Sequence, residues 1–252
     1  MNEQVIYRSL LISWFVVAAV VFVALFFVAA PYGRHVRRGW GYAVGNKLGW
    51  VLMEAPASLA FAACFLLGGS FGLASMIFLI MWESHYIHRA FIYPLGLRGT
   101  GRRLPLTIIG FGFLFNLMNG YLNGRYLFTL SGGYPDRWLS DPRFIIGLFI
   151  FVAGFFINRQ ADGILRSLRG PDDSGYRMTS RGLYRWVSCP NYLGEITIWV
   201  GWAIATWSLA GLAFALWTAA NLMPRARANH AWYRENFPDY PPERKALVPR
   251  LW

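Results

Sequence analysis

Three glutamates stand in stretches otherwise apolar enough for hydrocarbon: Glu54, Glu83 and Glu195. A carboxylate there is costly, so each needs a reason. Glu54 sits in Leu52-Met53-Glu54-Ala55-Pro56. Burial disfavours its charged form, so it is expected to carry a proton near neutral pH. A hydrogen bond between helices, beside the kink that Pro56 imposes, is an equally open role. A second polar group is Trp82-Glu83-Ser84-His85-Tyr86-Ile87-His88-Arg89. His85 and Arg89 are four apart and share a helical face. His-x-x-His raises the idea of a membrane metal site. The chain has only four histidines, His35, His85, His88 and His230, too few for such a site, so no metal is expected. Position 54 lies 14 residues before Gly68, and position 86 lies 14 after Gly72. In an antiparallel hairpin turning at Gly68-Gly69-Ser70-Phe71-Gly72, Glu54 and Tyr86 sit at matching depth. A buried carboxyl beside a phenol can donate to, or polarise, a carbonyl oxygen.

A denser group follows. Asn158, Asp162, Arg166 and Arg169 are spaced 4, 4 and 3 apart and line one helical stripe. Tyr176-Arg177 and Arg181 come after the turn Gly170-Pro171-Asp172-Asp173-Ser174-Gly175, and Asn191 and Glu195 are four apart on the next helix. Arginines in a polar stripe suit a ligand carrying phosphates and an amide. An arginine-rich cytosolic face would give the same spacing. The balance of 22 Arg to 2 Lys favours planar, bidentate contacts, although composition bias gives the same ratio. No Gly-x-Gly-x-x-Gly occurs, which excludes a Rossmann dinucleotide domain.

These residues need elements to hold them, and composition says which. The 252 residues are 56% hydrophobic, 18% aromatic and only 14% charged. That excludes a disordered chain and argues against a soluble globule. Two cysteines, Cys64 and Cys189, exclude a disulfide framework. Residues 10–30 hold no charge, which is the length of one spanning helix. Glu3 and Arg8 precede them in place of a basic leader, so the helix is read as retained. Further spans fall near 48–67, 73–93, 104–124 and 144–165. Residues 196–224 are 29 uncharged residues, too long for one crossing. They divide at Trp207-Ser208-Leu209-Ala210-Gly211 into spans near 191–207 and 210–230. With seven helices and the N-terminus outside, the inner segments hold 20 of the 24 basic residues. Positive-inside bias favours that layout, with the C-terminus in the cytosol. The net charge of +12 is therefore read as membrane sidedness and not as nucleic-acid binding. The expected fold is an all-α integral membrane protein of seven transmembrane helices, one domain over 1–252.

At this point a resemblance enters. Asn191-Tyr192-Leu193-Gly194-Glu195 through Ala205-Thr206-Trp207-Ser208-Leu209 resembles the steroid 5α-reductase (3-oxo-5-alpha-steroid 4-dehydrogenase) family. So does the tail Phe237-Pro238-Asp239-Tyr240-Pro241 with Arg244-Lys245-Ala246-Leu247-Val248-Pro249. The likeness extends to His85-Tyr86-Ile87-His88-Arg89-Ala90-Phe91-Ile92-Tyr93, Gly133-Tyr134-Pro135-Asp136-Arg137-Trp138 and Pro31-Tyr32-Gly33-Arg34-His35, in order along nearly the whole chain.

The resemblance implies an enzyme that uses NADPH to reduce the 4,5 double bond of 3-oxo-Δ4 steroids. It implies Glu54 and Tyr86 as catalytic groups, with Met53 beside them at the substrate. It implies cofactor contacts from Asn158, Asp162, Arg169, Tyr176, Arg177, Asn191, Glu195, Trp199, Arg225 and Tyr233, with Arg89, Tyr93 and Arg98 in a segment that also approaches the cofactor. The cofactor-binding half is then 144–252. Two positions depart from the family pattern: Met53 stands where Gln is usual, and Ala228-Asn229-His230 keeps only part of a histidine cluster. The expected partners are a steroid or other apolar enone and the lipid bilayer, for a monomer in a bacterial inner membrane with its cofactor site facing the cytosol. The alternatives are a membrane methyltransferase of the isoprenylcysteine type, a reductase of another sterol or enoyl-lipid double bond, and a small transporter or heptahelical receptor. Against the methyltransferase, Ser188-Cys189-Pro190-Asn191-Tyr192 stands where those enzymes carry Arg-His-Pro-x-Tyr.

Overall fold

A computed structural model of the chain describes residues 2–28, 40–97, 103–168, 170 and 175–252. Seven helices of 15 or more residues occur among them: α1 (Glu3–Phe27), α2 (Asn46–Gly68), α3 (Leu73–Ile87), α5 (Leu106–Arg125), α6 (Pro142–Ser167), α7 (Pro190–Thr206) and α8 (Leu209–Asn236). A short α4 (Tyr93–Leu95) follows α3. By length and composition α1, α2 and α6 can each cross a membrane.

The ends of these helices follow local chemistry. α2 stops where Gly69 takes a left-handed conformation (φ 69°), which leads into the Gly-rich turn before α3. α7 ends at Trp207, also left-handed (φ 45°). Ser208 then caps α8 through its Oγ, which accepts from Gly211 N at 3.0 Å. The cap of α3 comes from far along the chain: Asp136 Oδ1 accepts from Ala74 N at 3.1 Å. Asp136→Ala is therefore expected to cost about 1 kcal/mol, the usual worth of an N-cap, read as a lower thermal midpoint.

The fold is mostly helical, as expected, with one small β element beside the helices. Residues Ala43–Gly45 (β1) and Arg103–Pro105 (β2) pair antiparallel, Ala43 opposite Pro105 and Gly45 opposite Arg103. Three-residue strands are too short to carry a period-2 signal. The pair ties the start of α2 to the start of α5 and so sets their mutual register. Two π-helical turns, His88–Ile92 and Tyr126–Leu130, extend α3 and α5. Such turns are rare and recur at functional sites.

The chain forms two compact units, residues 1–11 with 31–144, and residues 12–30 with 145–252. In the first, α5 presents Gly112, Asn116, Gly120 and Gly124 at four-residue spacing to α2. A Cβ at Gly120 would lie 2.8 Å from Ala57 O, and one at Gly124 2.7 Å from Cys64 Cβ. A Cβ at Gly112 would overlap the Met53 side chain. The small residues let the two backbones approach closely. The same stripe aims Asn116 at the turn of α2 that holds Met53 and Glu54. In the second unit α6 and α7 interlock in the same way. Gly147 packs on Ala205, Phe151 on Gly201, Gly154 on Ile198 and Asn158 on Gly194. That register brings Asn158 beside Asn191 and Glu195.

Candidate active site

In the first unit three elements bring polar groups to one point in an apolar wall. Glu54 comes from α2, Tyr86 from the last turn of α3, and Asn116 from the middle of α5. They are 8%, 2% and 4% exposed, so every polar atom must find a partner inside the protein. Asn116 Nδ2 donates to Glu54 Oε2 at 3.3 Å and to Met53 O at 2.8 Å. Tyr86 Oη donates to Asn116 Oδ1 at 3.2 Å. Arg89, in the π-helical turn, places Nε 3.6 Å from Glu54 Oε1. Its guanidinium lies over the rings of Trp50 (4.9 Å) and Tyr93 (5.4 Å), while Trp50 Nε1 donates to Arg89 O at 3.0 Å. The Arg89 guanidinium thus sits beside the buried carboxyl of Glu54. The guanidinium supplies the compensating charge.

The matching-depth argument paired Glu54 with Tyr86, and the structure adds the group that bonds to both. Asn116 did not stand out in the sequence, because a lone Asn in an apolar helix reads as an ordinary interhelical contact. The signal that finds it is the stripe Gly112-x3-Asn116-x3-Gly120-x3-Gly124. Met53 turns its side chain to Gly112 on α5 and offers its carbonyl to Asn116. Glu83, on α3, accepts from Ser58 Oγ at 2.5 Å.

The second unit holds a network built from α6 and α7. Asn158 and Asp162 are buried, at 5% and 6% exposure. Asn158 Nδ2 donates to Asn191 O and to Glu195 Oε2, both at 3.0 Å. Trp199 Nε1 donates to Glu195 Oε1 at 3.0 Å. Asn191 Nδ2 donates to Asp162 Oδ1 at 3.2 Å. Of the residues expected at a cofactor, five are thus joined by hydrogen bonds. Three more lie among aromatic rings: Arg225 over Tyr192 (5.5 Å), Tyr176 edge-on to Trp232 (5.3 Å), and Tyr233 stacked on Tyr240 (5.6 Å). Arg177 is exposed. Arg89 and Tyr93 belong to the first unit, as above. Arg98 and Arg169 lie outside the described residues.

One further polar group was not legible in the sequence. Ser188 Oγ lies 2.7 Å from His230 Nδ1 and 2.5 Å from Tyr240 Oη. Burial raises the Tyr240 phenol pKa, against the lowering effect of the Ser188 hydrogen bond. Alongside, Ser188 N donates to Lys245 O (2.8 Å) and Cys189 N to Ala246 O (3.2 Å). The C-terminal tail is thereby fastened to the segment that opens α7. Its Ala246 and Leu247 join a core with Cys189 and Ala226.

Comparison with known proteins identifies the family. The family model for 3-oxo-5-alpha-steroid 4-dehydrogenase matches residues 102–252. The chain is 41% identical to the steroid 5-alpha-reductase DET2 of Gossypium hirsutum, over all of this chain and 99% of that one. It is 38% identical to 3-oxo-5-alpha-steroid 4-dehydrogenase 1 of Bos taurus, over 92% of this chain and 91% of that one. It is 40% identical to the Homo sapiens protein of the same name, over 88% and 86%. These relatives are plant and animal proteins, so a bacterial inner membrane, expected from the sequence, finds no support among them. With the family model covering more than half of the chain and full-length relatives near 40% identity, the chain belongs to the steroid 5α-reductase (3-oxo-5-alpha-steroid 4-dehydrogenase) family of oxidoreductases.

Proposed function

We propose that this protein reduces the 4,5 double bond of 3-oxo-Δ4 steroids with NADPH, as a monomeric integral membrane enzyme. The observation that carries the reading is the full-length match to proteins named as steroid 5-alpha-reductases. Each of the two polar clusters offers contacts to one reactant.

Reduction of an enone adds hydride at the β-carbon and builds negative charge on the ketone oxygen. Tyr86 is the donor for that oxygen, and Glu54, held by Arg89, anchors the hydrogen-bonded chain that orients the phenol. The α-carbon then takes a proton from solvent or through Tyr86. The apolar walls around the cluster suit a rigid hydrocarbon and keep water away.

The donor set of the second unit fits a nicotinamide dinucleotide. Asn158, Asn191 and Glu195 offer amide and carboxylate groups to a carboxamide, and Trp199 holds Glu195 in place. Asp162, Tyr176 and Tyr233 supply polar edges. Arg169, Arg177 and Arg225 are the cations for its phosphates, and Arg98 belongs to a segment that also approaches the cofactor. The bound cofactor supplies the hydride. In this reading residues 144–252 are the cofactor-binding half of one membrane domain. Seven crossings with the N-terminus outside then put the arginine-rich segments on the cytosolic side, as the charge asymmetry favours.

The family assignment leaves a methyltransferase without support. A thermal-shift measurement distinguishes the two directly. At 100 times its Kd, a ligand that binds only the folded protein adds about 2.7 kcal/mol of stability. NADPH is expected to raise the midpoint and S-adenosylmethionine to leave it unchanged. Stabilisation by S-adenosylmethionine alone contradicts the proposal.

A further inference from the structure

The hydrogen-bond valences around Asn116 can be counted, and they fix a direction. An amide has two N–H donors and one carbonyl acceptor. Both acceptors on the Nδ2 side, Glu54 Oε2 and Met53 O, cannot donate when the carboxyl is paired with Arg89. The amide therefore cannot be turned over without setting oxygen against oxygen twice. Its Oδ1 must face Tyr86, whose single phenolic proton then points at Asn116.

From this we infer that Asn116 is a positioning residue of the reaction: it holds the Tyr86 proton in the resting protein and yields it to the substrate carbonyl. The inference rests on the proposed reductase reading and deepens it. With no substrate present, the phenol offers its lone pairs, and not its proton, to an incoming ketone. An arriving enone gains its hydrogen bond when the O–H rotates from Asn116 Oδ1 to the ketone oxygen. That exchange becomes more favourable as negative charge grows there, so the contact is strongest in the transition state. Asn116 is itself kept in register by its position between Gly112 and Gly120, both packed tightly against α2. The Met53 carbonyl, and not the Met53 side chain, is the part of residue 53 that takes part in this network.

The test compares Asn116→Leu and Asn116→Asp with the parent protein, in detergent or nanodiscs, with NADPH and a 3-oxo-Δ4 steroid. The readouts are kcat, KM for the steroid, Kd for NADPH and the pH profile of kcat. Asn116→Leu removes every polar contact at similar size. It is expected to lower kcat by about 10²-fold, the usual cost of losing a fixed orientation, while the NADPH Kd stays unchanged. Asn116→Asp keeps an acceptor for Tyr86 but sets a carboxylate against Glu54 and Met53 O. Its kcat is expected to be low at neutral pH and to rise as pH falls, when the protonated Asp regains a donor. The titratable groups that face it are Glu54 on α2 and Tyr86 on α3, with Arg89 of the π-helical turn against Glu54 and His85 of α3 against the Tyr86 ring. All four are present in the parent, whose profile is the control. Parent-like kcat in both variants, or an Asn116→Asp profile that tracks the parent, overturns the inference. If Asn116→Leu does not fold, the Asn116→Asp profile decides alone. Failure of the reductase reading looks different: the parent then fails to reduce the enone, or Tyr86→Phe turns over as the parent does.

Discussion

Tyr86→Phe is expected to lower kcat by about 10²–10³-fold, the usual effect of deleting one preorganised donor at a developing oxyanion. The substitution removes a single oxygen from a side chain that is 2% exposed and packed edge-on against His85 (5.1 Å) and tilted against Trp82 (5.1 Å). The ring packing survives, so the loss is chemical and not structural. Glu54→Gln is expected to act in the same direction. It keeps the shape but places an amide where Asn116 Nδ2 and Arg89 both need an acceptor. Neither change touches the Asn158–Glu195 network, so NADPH affinity is expected to hold. The check is kcat against NADPH Kd for both variants. Turnover retained in both would remove the first cluster from the chemistry.

Gly194→Ala is the second large effect. A Cβ there would lie 2.5 Å from Asn158 N and 2.8 Å from Asn158 Cα. Both are backbone atoms of a helix, so no side chain can swing aside and α6 and α7 must separate. Overpacking of this kind costs roughly 1–3 kcal/mol. Here the strain falls on the hydrogen bonds from Asn158 to Asn191 O and Glu195. The expectation is a weaker NADPH Kd by about 10-fold or more, at 1.4 kcal/mol per decade, with kcat at saturating NADPH less affected. Gly163→Ala is the control within the same helix pair. Its added methyl meets nothing within 4 Å, and Ala favours the helix, so cofactor binding is expected to be unchanged. Equal NADPH affinities in the two variants would contradict the role given to the α6–α7 seam.

Much of this was legible because hydrocarbon imposes simple rules. The Gly68–Gly72 turn divides two apolar stretches, and a count of residues from it puts Glu54 and Tyr86 at one depth. The i, i+4 spacing of Asn158 with Asp162, and of Asn191 with Glu195, puts each pair on one face. What one-dimensional spacing cannot supply is the third partner. Asn116 comes from a helix that is distant in sequence, and its place depends on how closely α5 approaches α2. Nor does spacing show that Arg89, which the resemblance puts near the cofactor, also lies against Glu54 from within a π-helical turn. The β1–β2 pair and the fastening of residues 186–189 to the C-terminal tail were missed for another reason. Both rest on backbone hydrogen bonds between short segments, and side-chain patterns do not record those.

The most direct test of the central claim follows the hydride. The purified protein is incubated with NADPH deuterated at the transferable position and a 3-oxo-Δ4 steroid, and the product is analysed by mass and NMR. The account predicts one deuterium per product at the former β-carbon, none at the α-carbon, and one NADPH consumed per double bond. Unlabelled product, label at the ketone carbon as in reduction to an alcohol, or no loss of the double bond would contradict it.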